Sequence, residues 1–186
     1  MQNHLIWKEE GRKTVFDCAI FTVSERYSRS PKGTIKTFTV LDANDWVIIV
    51  PVLETEQEND FIMVRQWRHG ASDLSLEFPA GVAEKGESIE QAAFRELREE
   101  TGFEAGKIEK LGVFNPNPAI MSNNVHFFIA TELKPLASQK LDEDEYIDVE
   151  KISWTKVLKG MGKFPYTHAL TAAAMTLYLK KVVLSC

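Results

Sequence analysis

Cysteine is nearly missing from this sequence. Its two copies, Cys18 and Cys186, are too far apart for a metal knuckle and too few for a disulfide framework. Both are expected to be reduced and incidental. Long hydrophobic runs are missing as well. No stretch approaches the roughly 20 apolar residues that span a bilayer, and the charged opening MQNHLIWKEEGRK holds no apolar signal core. A membrane partner is thereby excluded, and the cytoplasm is the expected location. Surplus positive charge is lacking too. With 22 Lys and Arg against 27 Asp and Glu the net charge is -5, which excludes the general affinity for nucleic acid that excess basic residues supply. An anionic ligand would need a metal ion or a local basic patch. There are no repeats and no low-complexity linkers. What is present is a 186-residue chain with 44% apolar residues, enough for one sizeable domain, or one domain with a small appendage.

Apolar patterning predicts mainly strands. Residues 14–23, TVFDCAIFTV, and 34–41, TIKTFTVL, read as strands of an N-terminal hairpin or small meander turned by SRSPKG. Trp7, Phe16 and Phe21 make it too apolar to stand alone in water. Trp46–Glu54, WVIIVPVLE, and Phe61–Trp67, FIMVRQW, are continuous apolar runs, which predicts a buried hairpin in a central sheet around the loop TEQEND. The short strand Leu74–Phe78 then runs into Pro79, Ala80 and Gly81, where a turn is forced. Further strands are predicted at 107–114, 124–131 and 146–152. A short helix near 155–160 and a longer one over 167–183 close the chain.

The stretch GVAEKGESIEQAAFRELREETGF, from Gly81 to Phe103, carries the chemistry. Ser88 with Gln91 makes a capping box, and Ile89, Ala92, Ala93 and Leu97 make an apolar stripe. Gly102 stands where a left-handed cap belongs, so a helix is predicted over 89–101. On that helix Glu96, Glu99 and Glu100 share one face. Like charges at this spacing destabilise a bare helix by about 0.2–0.5 kcal/mol per pair, so the cluster calls for a cation. Arg95 and Arg98 compensate only in part.

The spacing of Gly81, Glu87, Arg95, Glu96, Glu99, Glu100 and Gly102, with Leu97 and Phe103, resembles the Nudix box. Seven fixed identities would coincide by chance at on the order of one in 10^8 start positions. Phe103 is a small departure, since an aliphatic residue is usual there. The resemblance implies hydrolysis of a nucleoside diphosphate linked to another group. A diphosphate repels a nucleophile, so such a site must neutralise charge and generate hydroxide together. Clustered carboxylates holding Mg²⁺, or Mn²⁺ in its place, do both. By motif position the implied metal ligands are Glu96 and Glu100 first and Glu99 next. Gly81, Glu87, Arg95 and Gly102 are implied to shape or orient the box, with Arg95 a partner of its carboxylates.

Outside the box, Leu76–Gly81, LEFPAG, resembles the lead-in of the ADP-ribose and nucleotide-sugar pyrophosphatase branch, in which the carbonyl at Ala80 also ligates metal. Pro118, fifteen positions after Phe103, and the RQWR of 65–68, with Trp67 where Tyr is usual, resemble the same branch. Arg68, and Arg65 with it, then become candidate diphosphate contacts. The resemblance also implies a general base on a later acidic loop, and Leu141–Glu145, LDEDE, is the one suitably placed. Glu143 is expected to be the base and Glu145 an auxiliary metal ligand, the two roles being open to exchange. Trp7, Phe16 and Tyr27 are candidates to stack on a nucleobase. His4, His69, His126 and His168 show no ligand spacing and are read as structural or exposed.

These resemblances imply an α/β chain. A Nudix α/β/α sandwich would occupy residues 45–186, and a small N-terminal antiparallel β-domain would occupy 1–44. That β-domain is expected to swap between the subunits of a homodimer. The implied activity is metal-dependent hydrolysis of ADP-ribose or a related nucleoside diphosphate sugar, giving a nucleoside monophosphate and a sugar phosphate. The alternatives are another nucleoside diphosphate derivative as substrate, such as a dinucleotide or coenzyme A, or a nucleotide-sugar-binding Nudix domain without turnover.

Overall fold

The computed structural model describes residues 3–184 apart from Gln57, Ala137, Asp142 and Asp144, so Cys186 lies outside the described residues. Two compact units emerge. The first is Met1–Asp45 with Asn115–Asn124 and the second is Trp46–Phe114 with Val125–Cys186.

The first unit is an antiparallel meander of β1 (Lys8–Asp17), β2 (Thr22–Arg29) and β3 (Ile35–Asp42). The single strand expected at 14–23 is instead the end of β1, a turn, and the start of β2. Cys18 N–H donates to the Phe21 carbonyl at 3.1 Å, so two apolar stretches that abut in sequence belong to opposite strands. The turn expected in SRSPKG forms, with Gly33 at φ 90. β1 is exposed at every position but Gly11, Val15 and Phe16 included, and Trp7 meets Phe38 edge-on at 5.2 Å. Segment 115–124 is tied to this unit by Leu41 N–H to Ile120 O at 2.7 Å and by Asn124 N–H to the Asp45 carboxylate at 2.8 Å.

The second unit is built on β4 (Trp46–Leu53). Successive side chains of a strand face opposite ways. Val47 and Ile49 therefore join Ala92, Ala93 and Leu97 of α1 (Ile89–Thr101), while Ile48, Val50 and Val52 join Ala174, Met175 and Tyr178 of α3 (Ala169–Leu184). A strand covered on both faces must be apolar throughout, which is why WVIIVPVL shows no alternation. β9 (Val125–Pro135) runs parallel to β4, and β8 (Phe103–Phe114) pairs antiparallel with β9. Helix, sheet and helix make an α/β/α sandwich. Trimming Leu97, 1% exposed under α1, to Ala should cost about 2–5 kcal/mol.

The hairpin expected between β4 and β5 (Asp60–Arg68) pairs only at its tip, Val52 with Phe61 and Leu53 with Asp60. Beyond that the strands part. β6 (Asp73–Glu77) takes the free edge of β5, β7 (Ala80–Val82) takes that of β4, and Pro79 O accepts from Ile49 N–H at 3.0 Å. The turn from Glu77 to Ala80 is thereby set in the middle of the sheet, beside α1. On its other edge β5 pairs β10 (Asp148–Ser153), which leads into α2 (Trp154–Gly160).

Helix α1 starts and stops for local reasons. Ser88 accepts from Gln91 N–H at 3.2 Å and donates its own N–H to Gln91 Oε1 at 2.9 Å. Gly102 ends the helix at φ 68, and β8 begins directly after it, earlier than the expected residue 107. Among the described residues no helix is long and apolar enough to cross a membrane.

Candidate active site

Arg95 organises the exposed side of the acidic face. Its Nε and Nη2 each reach Glu87 at 3.0 Å, and Nη1 bridges Glu96 at 2.8 Å and Glu99 at 3.1 Å. Nη2 also donates to the Val82 carbonyl at 3.0 Å, which ties α1 to β7. This fork holds three carboxylates at once. The hydrogen bond to Arg95 keeps Glu87 below the ordinary carboxylate range.

Gly81 is explained by Glu96. A Cβ added at Gly81 would overlap the Glu96 carboxylate, so the first glycine of the box is where a side chain of α1 lies against bare backbone. Burial raises the pKa of Glu96 despite Arg95, and the charges of Glu99 and Glu145 raise it further. Glu100 lies deeper, 3% exposed, and accepts from Ala80 N–H at 2.9 Å. Burial pushes its pKa up to about 8. The Ala80 bond and Arg68 oppose this, and Glu96 and Glu145 add to it. In an extended strand a residue's N–H and C=O leave by the same edge. The Ala80 carbonyl is therefore turned with its N–H toward this group.

A second acidic site adjoins the first. Glu77, 1% exposed, receives Arg68 through Nε at 3.0 Å and Nη2 at 2.7 Å, and His168 Nδ1 lies 3.5 Å away. Burial works against ionised Glu77, and Arg68 outweighs it, leaving the carboxylate below its ordinary value. Burial likewise lowers His168. Glu100 and Glu145 are among the charges that favour the Arg68 guanidinium.

Among the described residues no three His, Cys, Asp or Glu side chains are arranged to hold a metal ion by themselves. The donors nevertheless fit a hard divalent cation. Glu96 and Glu100 are buried carboxylates, the charge of Glu96 raises the pKa of Glu100, Glu145 adds a third negative charge that raises both, and the Ala80 carbonyl supplies a neutral oxygen. Such crowding is relieved by a cation.

A sequence model of the NUDIX domain matches residues 44–170, more than half of the chain. The chain belongs to the Nudix family. It is 39% identical over 127 residues to an ADP-ribose pyrophosphatase of Bacillus subtilis (strain 168), a match covering 68% of this chain and 69% of that one. It is 36% identical over 111 residues to a methanol dehydrogenase activator of Bacillus methanolicus, which covers 59% of this chain and 60% of that one. The crystal structure of an ADP compounds hydrolase superposes with a TM-score of 0.84 over 96% of this chain and 95% of that one. At 23% identity, that likeness concerns the fold.

The remaining expected residues of this Nudix site are placed as follows. Glu145 is half-buried and its charge acts on Glu96 and Glu100, whereas Glu143 is exposed. Arg65 is engaged elsewhere, its Nε on Glu150 at 2.5 Å. Pro118 lies in an exposed turn of the first unit. The sequence motifs assign no role to Glu77, and His168 is expected from them to be structural or exposed. The clue to Glu77 was its place in LSLEF, a carboxylate inside an apolar strand, where only a buried cationic partner would tolerate it.

Proposed function

We propose that this Nudix chain hydrolyses the diphosphate bond of ADP-ribose or a related nucleoside diphosphate sugar, giving a nucleoside monophosphate and a sugar phosphate. The observation that carries the reading is the buried pair Glu96 and Glu100, crowded by Glu145 and flanked by Arg68. The relative named as an ADP-ribose pyrophosphatase supports the substrate class.

In this reading Ala80 O, Glu96, Glu100 and Glu145 hold Mg²⁺, with Mn²⁺ able to replace it and Glu99 next in line as a ligand. The metal supplies charge neutralisation and an activated water. Arg95 holds Glu87, Glu96 and Glu99 in register, and Gly81 leaves the room that Glu96 occupies. A guanidinium has five N–H donors. Two of those on Arg68 are used by Glu77, and the rest serve the diphosphate oxygens. Glu143 accepts the proton of the attacking water.

The exposed Val15 and Phe16 of β1 and the exposed Trp7–Phe38 pair support a homodimer in which the N-terminal β-domain, residues 1–44, is swapped. A cytoplasmic location belongs to the same reading and is supported by Cys18, which is exposed and free.

The test is phosphatase-coupled phosphate release from ADP-ribose, ADP-glucose, GDP-mannose and UDP-glucose with Mg²⁺. Release from at least one, ADP-ribose foremost, is expected. No release from any of the four would sink the nucleotide-sugar reading and leave another nucleoside diphosphate derivative as substrate, or a protein that binds without turnover.

A further inference from the structure

The last turn of α1 leaves carbonyls without intrahelical partners, and the chain answers them one by one. Arg98 O accepts from Gly102 N–H and Glu99 O from Lys140 N–H, each at 3.0 Å, and Glu100 O accepts from the side-chain amide of Gln139. One residue on, Gly102 O accepts from Leu136 N–H at 2.7 Å. Three of these donors come from one segment, which follows β9 and leads into the acidic loop. It lies against Gly102, where an added Cβ would stand in ordinary contact with Gln139 N and Ser138 C at 3.4 Å. The last glycine of the box is needed for its left-handed turn at φ 68.

Gln139 does more than cap the helix. Leu136, Ser138 and Lys140 are exposed, whereas Gln139 is half-buried. Its amide nitrogen carries two hydrogens. One goes to Glu100 O and the other to Ile147 O at 3.4 Å, beyond the acidic loop. One side chain thus joins the backbone of α1, where Glu96 and Glu100 stand, to the far end of the loop that carries Glu143 and Glu145.

We propose that Gln139 is a positioning residue, clamping the far end of the acidic loop to the last turn of α1 so that Glu143 and Glu145 are held for work with Glu96 and Glu100. This rests on the hydrolase reading above, which gives both sets of carboxylates to one reaction. The two bonds require an amide N–H₂ at this reach. Gln139→Glu keeps the length and removes both donors, and Gln139→Met keeps the bulk and removes all polarity.

The experiment compares the full-length wild type with both variants by steady-state kinetics at saturating Mg²⁺ and by amide hydrogen exchange. Misplacement of a catalytic group by about 1 Å costs on the order of 100-fold in rate. The expected result is a kcat lower by about tenfold or more with KM changed less than about threefold. Exchange at the Lys140 amide should rise by about tenfold, while Ile49 in β4 stays protected. A purely structural role would lower the melting temperature and leave kcat intact. Wild-type kcat with faster Lys140 exchange would overturn the positioning role, and unchanged Lys140 exchange would overturn the clamp itself. If the wild type turns over none of the four nucleotide sugars, the nucleotide-sugar reading falls, and the exchange measurement still decides whether the clamp exists.

Discussion

Arg68 of β5 and Glu77 of β6 form a two-point ion pair, Nε to Oε1 at 3.0 Å and Nη2 to Oε2 at 2.7 Å, with Glu77 only 1% exposed. Removing the guanidinium leaves a buried carboxylate uncompensated. By urea denaturation at pH 7, Arg68→Ala should cost about 3 kcal/mol. Arg65→Ala, which breaks a more exposed pair with Glu150, should cost under about 1 kcal/mol. Arg68 holds Glu77 below its ordinary pKa of 4.5, so the gap between the two variants should close as the pH falls below that value. Equal costs at pH 7 would show that Glu77 does not depend on Arg68.

Gly81→Ala places a methyl where the Glu96 carboxylate lies. The side chain must leave its place beside Gly81 and Arg95. Because only the end of one side chain has to move, the expected loss is about 100-fold or more in kcat with a small change in melting temperature. Near-normal turnover in this variant would mean that the position of Glu96 is immaterial.

Metal-free protein should lose stability as the pH rises from about 4.5 toward 8. Glu100 has its pKa pushed up to about 8 by burial, so over that window the folded state holds a proton that the unfolded state releases. Glu96 is shifted in the same direction. His168, lowered by burial, works the other way below its ordinary value of 6.5. The informative quantity is therefore the difference between wild type and Glu100→Gln. Melting curves should show the variant gaining on the wild type throughout the window. Added Mg²⁺ should raise the wild-type midpoint more at pH 8.5 than at pH 5.5, because a bound cation favours ionised carboxylates. Parallel curves would remove Glu100 as the buried, protonated group.

The two acidic-loop residues should separate by kinetics. Glu145, whose charge acts on Glu96 and Glu100, should raise the Mg²⁺ needed for half-maximal rate when changed to Gln. Glu143→Gln should lower kcat by about 100-fold or more and leave the Mg²⁺ requirement alone. The reverse pattern would exchange their roles.

The helix of the site was legible because its determinants are local. Ser88, Gln91, the stripe through Leu97 and Gly102 lie within one short segment and agree with one another, and its bounds fall at 89 and 101 as expected. The same segment held the box spacing, although it gave no reason for Gly81. That reason is tertiary, the approach of Glu96 across the turn from β7. The opening of the β4–β5 hairpin was not legible either, because both strands are apolar for reasons that do not reveal which strand lies beside them. Residues 14–23 misled for a simpler reason. Val15 with Phe16, and Ile20 with Phe21, sit on either side of a turn that lacks both glycine and proline. The Arg68–Glu77 pair needed β6 to fold back on β5 before it could be seen.

The most direct measurement is the turnover of ADP-ribose by Glu100→Gln in the presence of Mg²⁺, with circular dichroism to confirm the fold. The wild type should release a nucleoside monophosphate and a sugar phosphate. The variant should remain folded with kcat lower by about 1,000-fold or more, since it loses a buried ligand and a negative charge together. A folded Glu100→Gln protein that works at near wild-type rate would contradict the proposed metal site.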